Sequence, residues 1–140
     1  MAGPRESKAA VMLDRRPAEV FAQLTNYSAW PRWLDGLEKV ERISIGPVRI
    51  GSKFRLLGPG GEMQLEITQI MPNELFAVRA TGARLTWHSH FALESMRGAT
   101  WLRQSFQAEG RGLLGSLAAL VSRNQLKRNL SRFRRTLAVG

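Results

Sequence analysis

The chain is predicted to be an α+β protein, a curved antiparallel sheet of about seven strands closed by a long C-terminal helix, with two short helices between strands 1 and 2. Three observations predict this. An apolar strand is followed at once by residues at helical spacing, strand-like segments then recur at intervals of roughly ten residues, and the chain ends in a long amphipathic stretch. The 140 residues are expected to form a single domain, 1–140, with one core and room for a cavity inside it.

The first strand is "KAAVMLD", Lys8 to Asp14. In "RRPAEVFAQLTN", Pro17 suits a first helical turn, and Val20, Phe21 and Leu24 form a helical stripe. "YSAWPRWLDG" offers Ser28 as a cap, Pro31 in the next first turn and Gly36 as a stop, so a second short helix is expected there. From Leu37 to Ala108 the turn signals "GPVRIGS", "GPGG", "MPNE", "TGAR" and "MRGA" divide the chain into six further strands.

Register tests whether these strands share an apolar face. With two-residue loops at Pro72-Asn73, Gly82-Ala83 and Arg97-Gly98, Phe91 opposes Gln104, Leu93 opposes Leu102 and Ser89 opposes Phe106. Trp87 then opposes Val78, Leu85 opposes Ala80, Val78 opposes Ile67 and Ala80 opposes Leu65. An even loop at Pro59-Gly60 adds Phe54 and Leu56. Met63, Phe76 and the residues just named fall on one side, where a wrong register would scatter them. Gln69, Ser89 and Gln104 share that parity.

The terminal stretch is read as helical from about Gly112. At about 100° per residue, Leu113, Leu117, Leu120 and Val121 cluster on one side and Leu126, Leu130, Phe133 and Leu137 roughly opposite. One straight helix cannot bury both sets, so a bend or break is expected near Ser122 to Gln125, or else a separate first segment.

Composition narrows the function classes. There is no cysteine, hence no disulfide or thiolate metal site, as suits a reducing cytoplasm. No apolar run reaches the ~20 residues of a membrane span, and Asp14-Arg15-Arg16 interrupts any signal-peptide core, so a cytoplasmic protein is expected. Lys plus Arg number 21 against 11 Asp plus Glu, a net charge of +10, which favours anionic partners.

The order of elements resembles the helix-grip fold of the START-like (SRPBCC) superfamily, and within it the polyketide cyclase/dehydrase and lipid-transport family. "RPAEVFAQLTNYSAWPRWLDGLEKVE" (Arg16 to Glu41), "GPVRIGSKFRL" (Gly46 to Leu56), "ITQIMPNELFAVR" (Ile67 to Arg79) and "FALESMRGATWLRQSF" (Phe91 to Phe106) carry the likeness. The resemblance implies an elongated cavity for an apolar ligand between sheet and terminal helix, with the short helices near one end. Across the family the implied chemistry ranges from carriage of lipids or other hydrophobic metabolites to aromatic polyketide cyclisation.

The expected cavity walls are Phe54, Leu56, Met63, Leu65, Phe76, Val78, Trp87, Phe91 and Phe106, with Leu117 and Val121 from the terminal segment. Each of these residues also serves simply as core. Ser89 and Gln104 are the polar candidates, and Glu41 joins them if Ile43 and Ile45 face inward. Trp30 and Trp33 are expected near the cavity end, one ring at its entrance, where replacement by alanine would alter binding more than folding. His88 and His90 point away from the core with no third ligand, so no metal or other cofactor is expected, and they cannot activate the inward Ser89. "GPGGE" opens no helix and reads as a turn rather than a phosphate loop.

Three functions follow. The first is binding or transport of a hydrophobic small molecule such as a lipid or polyketide. The second is a cyclase/dehydratase-type enzyme using the same cavity, with Gln104, Ser89 or Glu41 steering proton transfer. The third is a module that docks on an anionic membrane surface or acidic partner through Arg123, Lys127, Arg128, Arg132, Arg134 and Arg135. No zinc-finger, RNP-like or helix-turn-helix signal points to sequence-specific nucleic-acid binding.

Overall fold

The computed structural model describes residues 5–59, 61–110 and 122–139. Strand β1 (Arg5–Leu13) leads into α1 (Pro17–Leu24), a 3-10 turn (Tyr27–Ala29) and α2 (Trp30–Trp33). The meander follows as β2 (Lys39–Arg42), β3 (Lys53–Gly58), β4 (Gly61–Met71), β5 (Leu75–Thr81), β6 (Leu85–Met96) and β7 (Ala99–Gly110), and then α3 (Arg123–Val139). The seven strands form one antiparallel sheet in the order β1-β7-β6-β5-β4-β3-β2. Strands consecutive in the chain, β1 and β2, thus lie at opposite edges, and the short helices span the distance between them.

Local chemistry explains the breaks. Pro17 occupies the first turn of α1, whose Val20, Phe21 and Leu24 are buried. Pro31 opens α2, but Ser28 does not cap it. The Ser28 hydroxyl instead donates to Asn26 Oδ1 at 2.7 Å. Beyond α2, Gly36 adopts a positive φ of 82°, and its carbonyl lies so close to Gly58 that any side chain there would collide with it.

The expected facing is observed, with three local changes. Arg97 and Gly98 both have positive φ and form the two-residue loop expected between β6 and β7, so Phe91 opposes Gln104 and Ser89 opposes Phe106. Between β5 and β6 the turn sits one residue later than expected, at Ala83-Arg84 with Gly82 N–H donating to the Leu85 carbonyl at 2.7 Å, so the pairing shifts by two and Trp87 opposes Ala80 while Val78 opposes Ser89. A slip of two keeps every side chain on its face. Between β4 and β5 the turn holds three residues, Pro72 to Glu74, and Thr68 forms a bulge that compensates for the extra one. Beyond the bulge the faces exchange, so Ile70 packs on the core and Gln69 is exposed, correcting the inward placement of Gln69.

Helix α3 begins where the apolar phase changes. Gln125 N–H donates to Ser122 Oγ at 3.2 Å, the first half of a capping box. Leu126, Leu130 and Phe133 are buried, as expected of that stripe, and the helix packs on β1 and α2. Leu113, Leu117, Leu120 and Val121 lie outside the described residues.

Trp30 and Trp33 are each 2% exposed, so neither stands at an opening. Trp30 Nε1 donates to the Leu24 carbonyl at 2.8 Å, and its ring meets Phe54 and Phe76. The Trp33 ring lies 6.0 Å from Phe91 and 5.0 Å from Phe133, joining α2 to the sheet and to α3. Trp33→Ala is therefore expected to cost about 3–5 kcal/mol of stability in urea denaturation. A cost below about 1 kcal/mol would mean that the junction repacks without it.

Candidate functional site

The inward face of the sheet is packed unevenly. Toward the short helices, Phe21, Trp30, Trp33, Phe54, Phe76, Phe91 and Phe133 form a dense aromatic cluster in which Phe76 and Phe91 stack at 6.4 Å. Toward the β3–β4 and β5–β6 turns, Leu85, Trp87 and Phe106 gather as half-buried side chains around Ala108. Trp87 and Phe106 stack there at 5.4 Å with planes 29° apart. Leu65 and Val78 are buried beside them, Leu56 is 6% exposed, and Met63 is half-buried. Small residues at Ala80 and Ala108, either side of Trp87, keep the floor of this half shallow.

Between the halves lies a polar pair. Gln104, 3% exposed, donates from Nε2 to Ser89 Oγ at 2.9 Å. Ser89 sits diagonally from Gln104, because Gln104 opposes Phe91 while Ser89 opposes Phe106. Gln104 Oε1 is buried and has no partner among the described residues. Turning the amide over would exchange the two ends and still leave one unanswered. Trp33 Nε1 is likewise buried and unpaired among the described residues, and its ring lies 6.0 Å from Phe91, the residue opposite Gln104.

Strand β2 corrects the placement of Glu41 and reveals a residue that sequence reasoning missed. Glu41 opposes Arg55, and its carboxylate lies 3.8 Å from Lys39 and 4.0 Å from Arg55, in surface ion pairs. Ile43 and Ile45 are exposed rather than inward. Arg42 is the inward residue, directly opposite the fully buried Phe54. Alternation along "KVER" carries this signal, but the long β2–β3 connection hides the register that would reveal it.

The outer face has different chemistry. His88 and His90 are exposed there, as expected, and line a groove of about 330 Å³ at the Thr68 bulge with Gln69, Ala77, Ser105 and Gln107. Among the described residues no three or more His, Cys, Asp or Glu side chains are placed to hold a metal ion. At its margin Gln107 Nε2 donates to Glu6, which with Lys8 nearby holds that carboxyl below its ordinary pKa. On α3, Arg123, Lys127, Arg128, Arg134 and Arg135 are exposed, while Arg132 pairs with Asp35 at 3.5 Å. No helix among the described residues is long and apolar enough to cross a membrane.

A curved seven-stranded antiparallel sheet with a C-terminal helix across it, and short helices joining its edge strands, defines a START-like (SRPBCC) helix-grip protein. Residues 5–138 match the family described as polyketide cyclase / dehydrase and lipid transport, and the chain belongs to that family. Among solved structures, the Zhui aromatase/cyclase from Streptomyces sp. R1128 is similar at 14% identity and a TM-score of 0.79, over 97% of this chain and 94% of that one. Ara h 8.0201 is similar at 13% identity and a TM-score of 0.75, over 99% and 100% of the two chains. TTHA0849 from Thermus thermophilus follows at 11% identity and 0.77, over 96% and 98%. At these identities the likeness is one of fold. Comparison with curated proteins gave no match.

The Ser89–Gln104 pair gives a direct test. Ser89→Ala would leave both ends of the Gln104 amide unanswered and is expected to cost about 1–3 kcal/mol. Ser89→Ala combined with Gln104→Met removes the stranded polar group and should recover part of that loss in urea denaturation. Strictly additive losses would mean that the two side chains do not depend on each other.

Proposed function

We propose that this protein binds and carries a hydrophobic small molecule, a lipid or polyketide, on the inward face of its sheet. The Trp87–Phe106 wall would hold the apolar body, and Gln104 a hydroxyl or other donor of the ligand. The observation that carries the reading is the unpaired Gln104 Oε1, a buried acceptor set between a dense aromatic cluster and a half-buried apolar one. Burying an amide end without a partner costs free energy that a filled apolar core would not spend. The family, described as polyketide cyclase / dehydrase and lipid transport, supports the same class of ligand.

Carriage is favoured over cyclisation by the character of the polar groups. The inward pair, Ser89 and Gln104, is neutral, whereas Glu41 and both histidines stand on the outer face. Proton transfer needs a group that titrates near the working pH and reaches the ligand. The aromatase/cyclase likeness is one of fold and leaves that requirement unmet among the described residues.

The test uses N-phenyl-1-naphthylamine, a neutral apolar dye whose emission rises when it leaves water. The wild-type protein is expected to bind it, and Trp87→Ala to weaken binding about tenfold while costing less stability than Trp33→Ala. No enhancement with the wild-type chain, or equal binding by Trp87→Ala, would sink the reading. Mass spectrometry of the native protein before and after solvent extraction provides a second measure, in which a mass lost on extraction is the carried ligand.

A further inference from the structure

Arg42 has no part in the apolar site described above, yet it faces the same interior. In an antiparallel pair, directly opposed residues project from the same side of the sheet. Arg42 opposes Phe54, which is 0% exposed, so the guanidinium leaves β2 toward the core. Its Nε and Nη2 atoms are both buried, and neither has a hydrogen-bond partner among the described residues. The adjacent carboxylate, Glu41, projects from the opposite face and is engaged with Lys39 and Arg55. The other carboxylate at Arg55, Glu62, is likewise held on that outer face at 3.1 Å.

The identity of the two bare atoms specifies the ligand group. Nε–H and Nη2–H lie along one edge of the guanidinium and point in nearly parallel directions, the fork that accepts both oxygens of a carboxylate. A guanidinium stays charged at any pH a folded protein tolerates, so burial cannot be relieved by losing the proton. Arg42 as a whole is half-buried, but its two buried, charged donors lie on one edge and match an anion that presents two oxygens in a plane, as a carboxylate does.

Position agrees with chemistry. Arg42 begins a cross-strand row that continues through Phe54, Leu65, Ala80 and Trp87. Four strand spacings of about 4.8 Å separate its ends, roughly 19 Å along the sheet. One end is a charged fork and the other the half-buried Trp87, with apolar or small side chains between.

We infer that Arg42 is the headgroup site of the ligand, so that the protein selects an apolar molecule ending in a carboxylate, its two oxygens on Nε–H and Nη2–H. This rests on the binding function proposed above and adds the class of molecule bound.

The experiment is displacement of bound N-phenyl-1-naphthylamine by dodecanoate and by 1-dodecanol, which share a chain and differ in the head. It is run near neutral pH in about 0.15 M salt, where screening beyond about 8 Å suppresses attraction to the basic surface. Dodecanoate is expected to displace the dye at a concentration about tenfold lower than the alcohol. In Arg42→Gln that advantage should vanish while displacement by the alcohol is unchanged. Arg42→Lys should keep only part of it, because an ammonium has the charge without the fork. Circular dichroism establishes that the variants fold, and the wild-type comparison stands without them. Equal displacement by acid and alcohol in the wild type, or an undiminished advantage in Arg42→Gln, would overturn the inference and leave the binding function intact. Failure of the dye to bind at all would overturn both.

Discussion

Trp33 is the contact on which the arrangement of layers depends. Its ring touches Phe91 on a central strand and Phe133 on the terminal helix, and it sits in the short connection that carries the chain from one sheet edge to the other. Trp30 packs α2 on Phe54 and Phe76 of the sheet, and Trp33 joins α2 to both the sheet and α3; these two rings steady a helix that at four residues is little more than one turn. The neighbouring contacts reinforce the same junction. Asp35 N–H donates to the buried Asn129, and its carboxylate pairs with Arg132, so the chain leaving α2 is tied to α3 on both counts.

Anchoring at one end leaves the interior asymmetric. Seven aromatic rings from the sheet, α1, α2 and α3 crowd the half beneath the short helices. In the other half Ala80 and Ala108 replace rings at inward positions, and Trp87 and Phe106 stack on each other. Dispersion and apolar burial both scale with close contact, so the first half is where stability resides. The second half contributes less to folding, which is the character the proposed binding surface needs.

The division between legible and hidden features follows from the physics of strand register. Inward and outward facing has a period of two, so the shift of two residues in the β5–β6 pairing left Trp87, Ser89 and Phe91 on their expected side. An error of one residue was not forgiven. The bulge at Thr68 has no strong signature in "EITQIM", and it moved Gln69 to the surface. The terminal helix was readable from its capping serine and its Leu126, Leu130 and Phe133 stripe. The candidate site was half legible. Ser89 and Gln104 follow from a two-residue turn that "RG" encodes well, whereas Arg42 and Glu41 sit on a strand whose register a long connection conceals. The tryptophans were placed in the right element with the wrong exposure, since helical spacing shows which residues share a face and not what covers it.

The polar atoms left unanswered inside this core set its energetic character. Trp33 Nε1, Gln104 Oε1 and the Arg42 edge are each buried without a partner among the described residues, at roughly 1–3 kcal/mol for a neutral group and more for a charged one. A domain of this size has a net stability of about 5–15 kcal/mol, so these groups together consume an appreciable part of it. Replacing them with apolar side chains of similar volume would be the simpler way to a stable core. A ligand that supplied the missing partners, as proposed, would remove the desolvation cost and stabilise the folded state in proportion to its affinity. The dense cluster around Trp33 is what makes that arrangement tolerable, since it holds the sheet, short helices and terminal helix together whether or not the polar groups are satisfied.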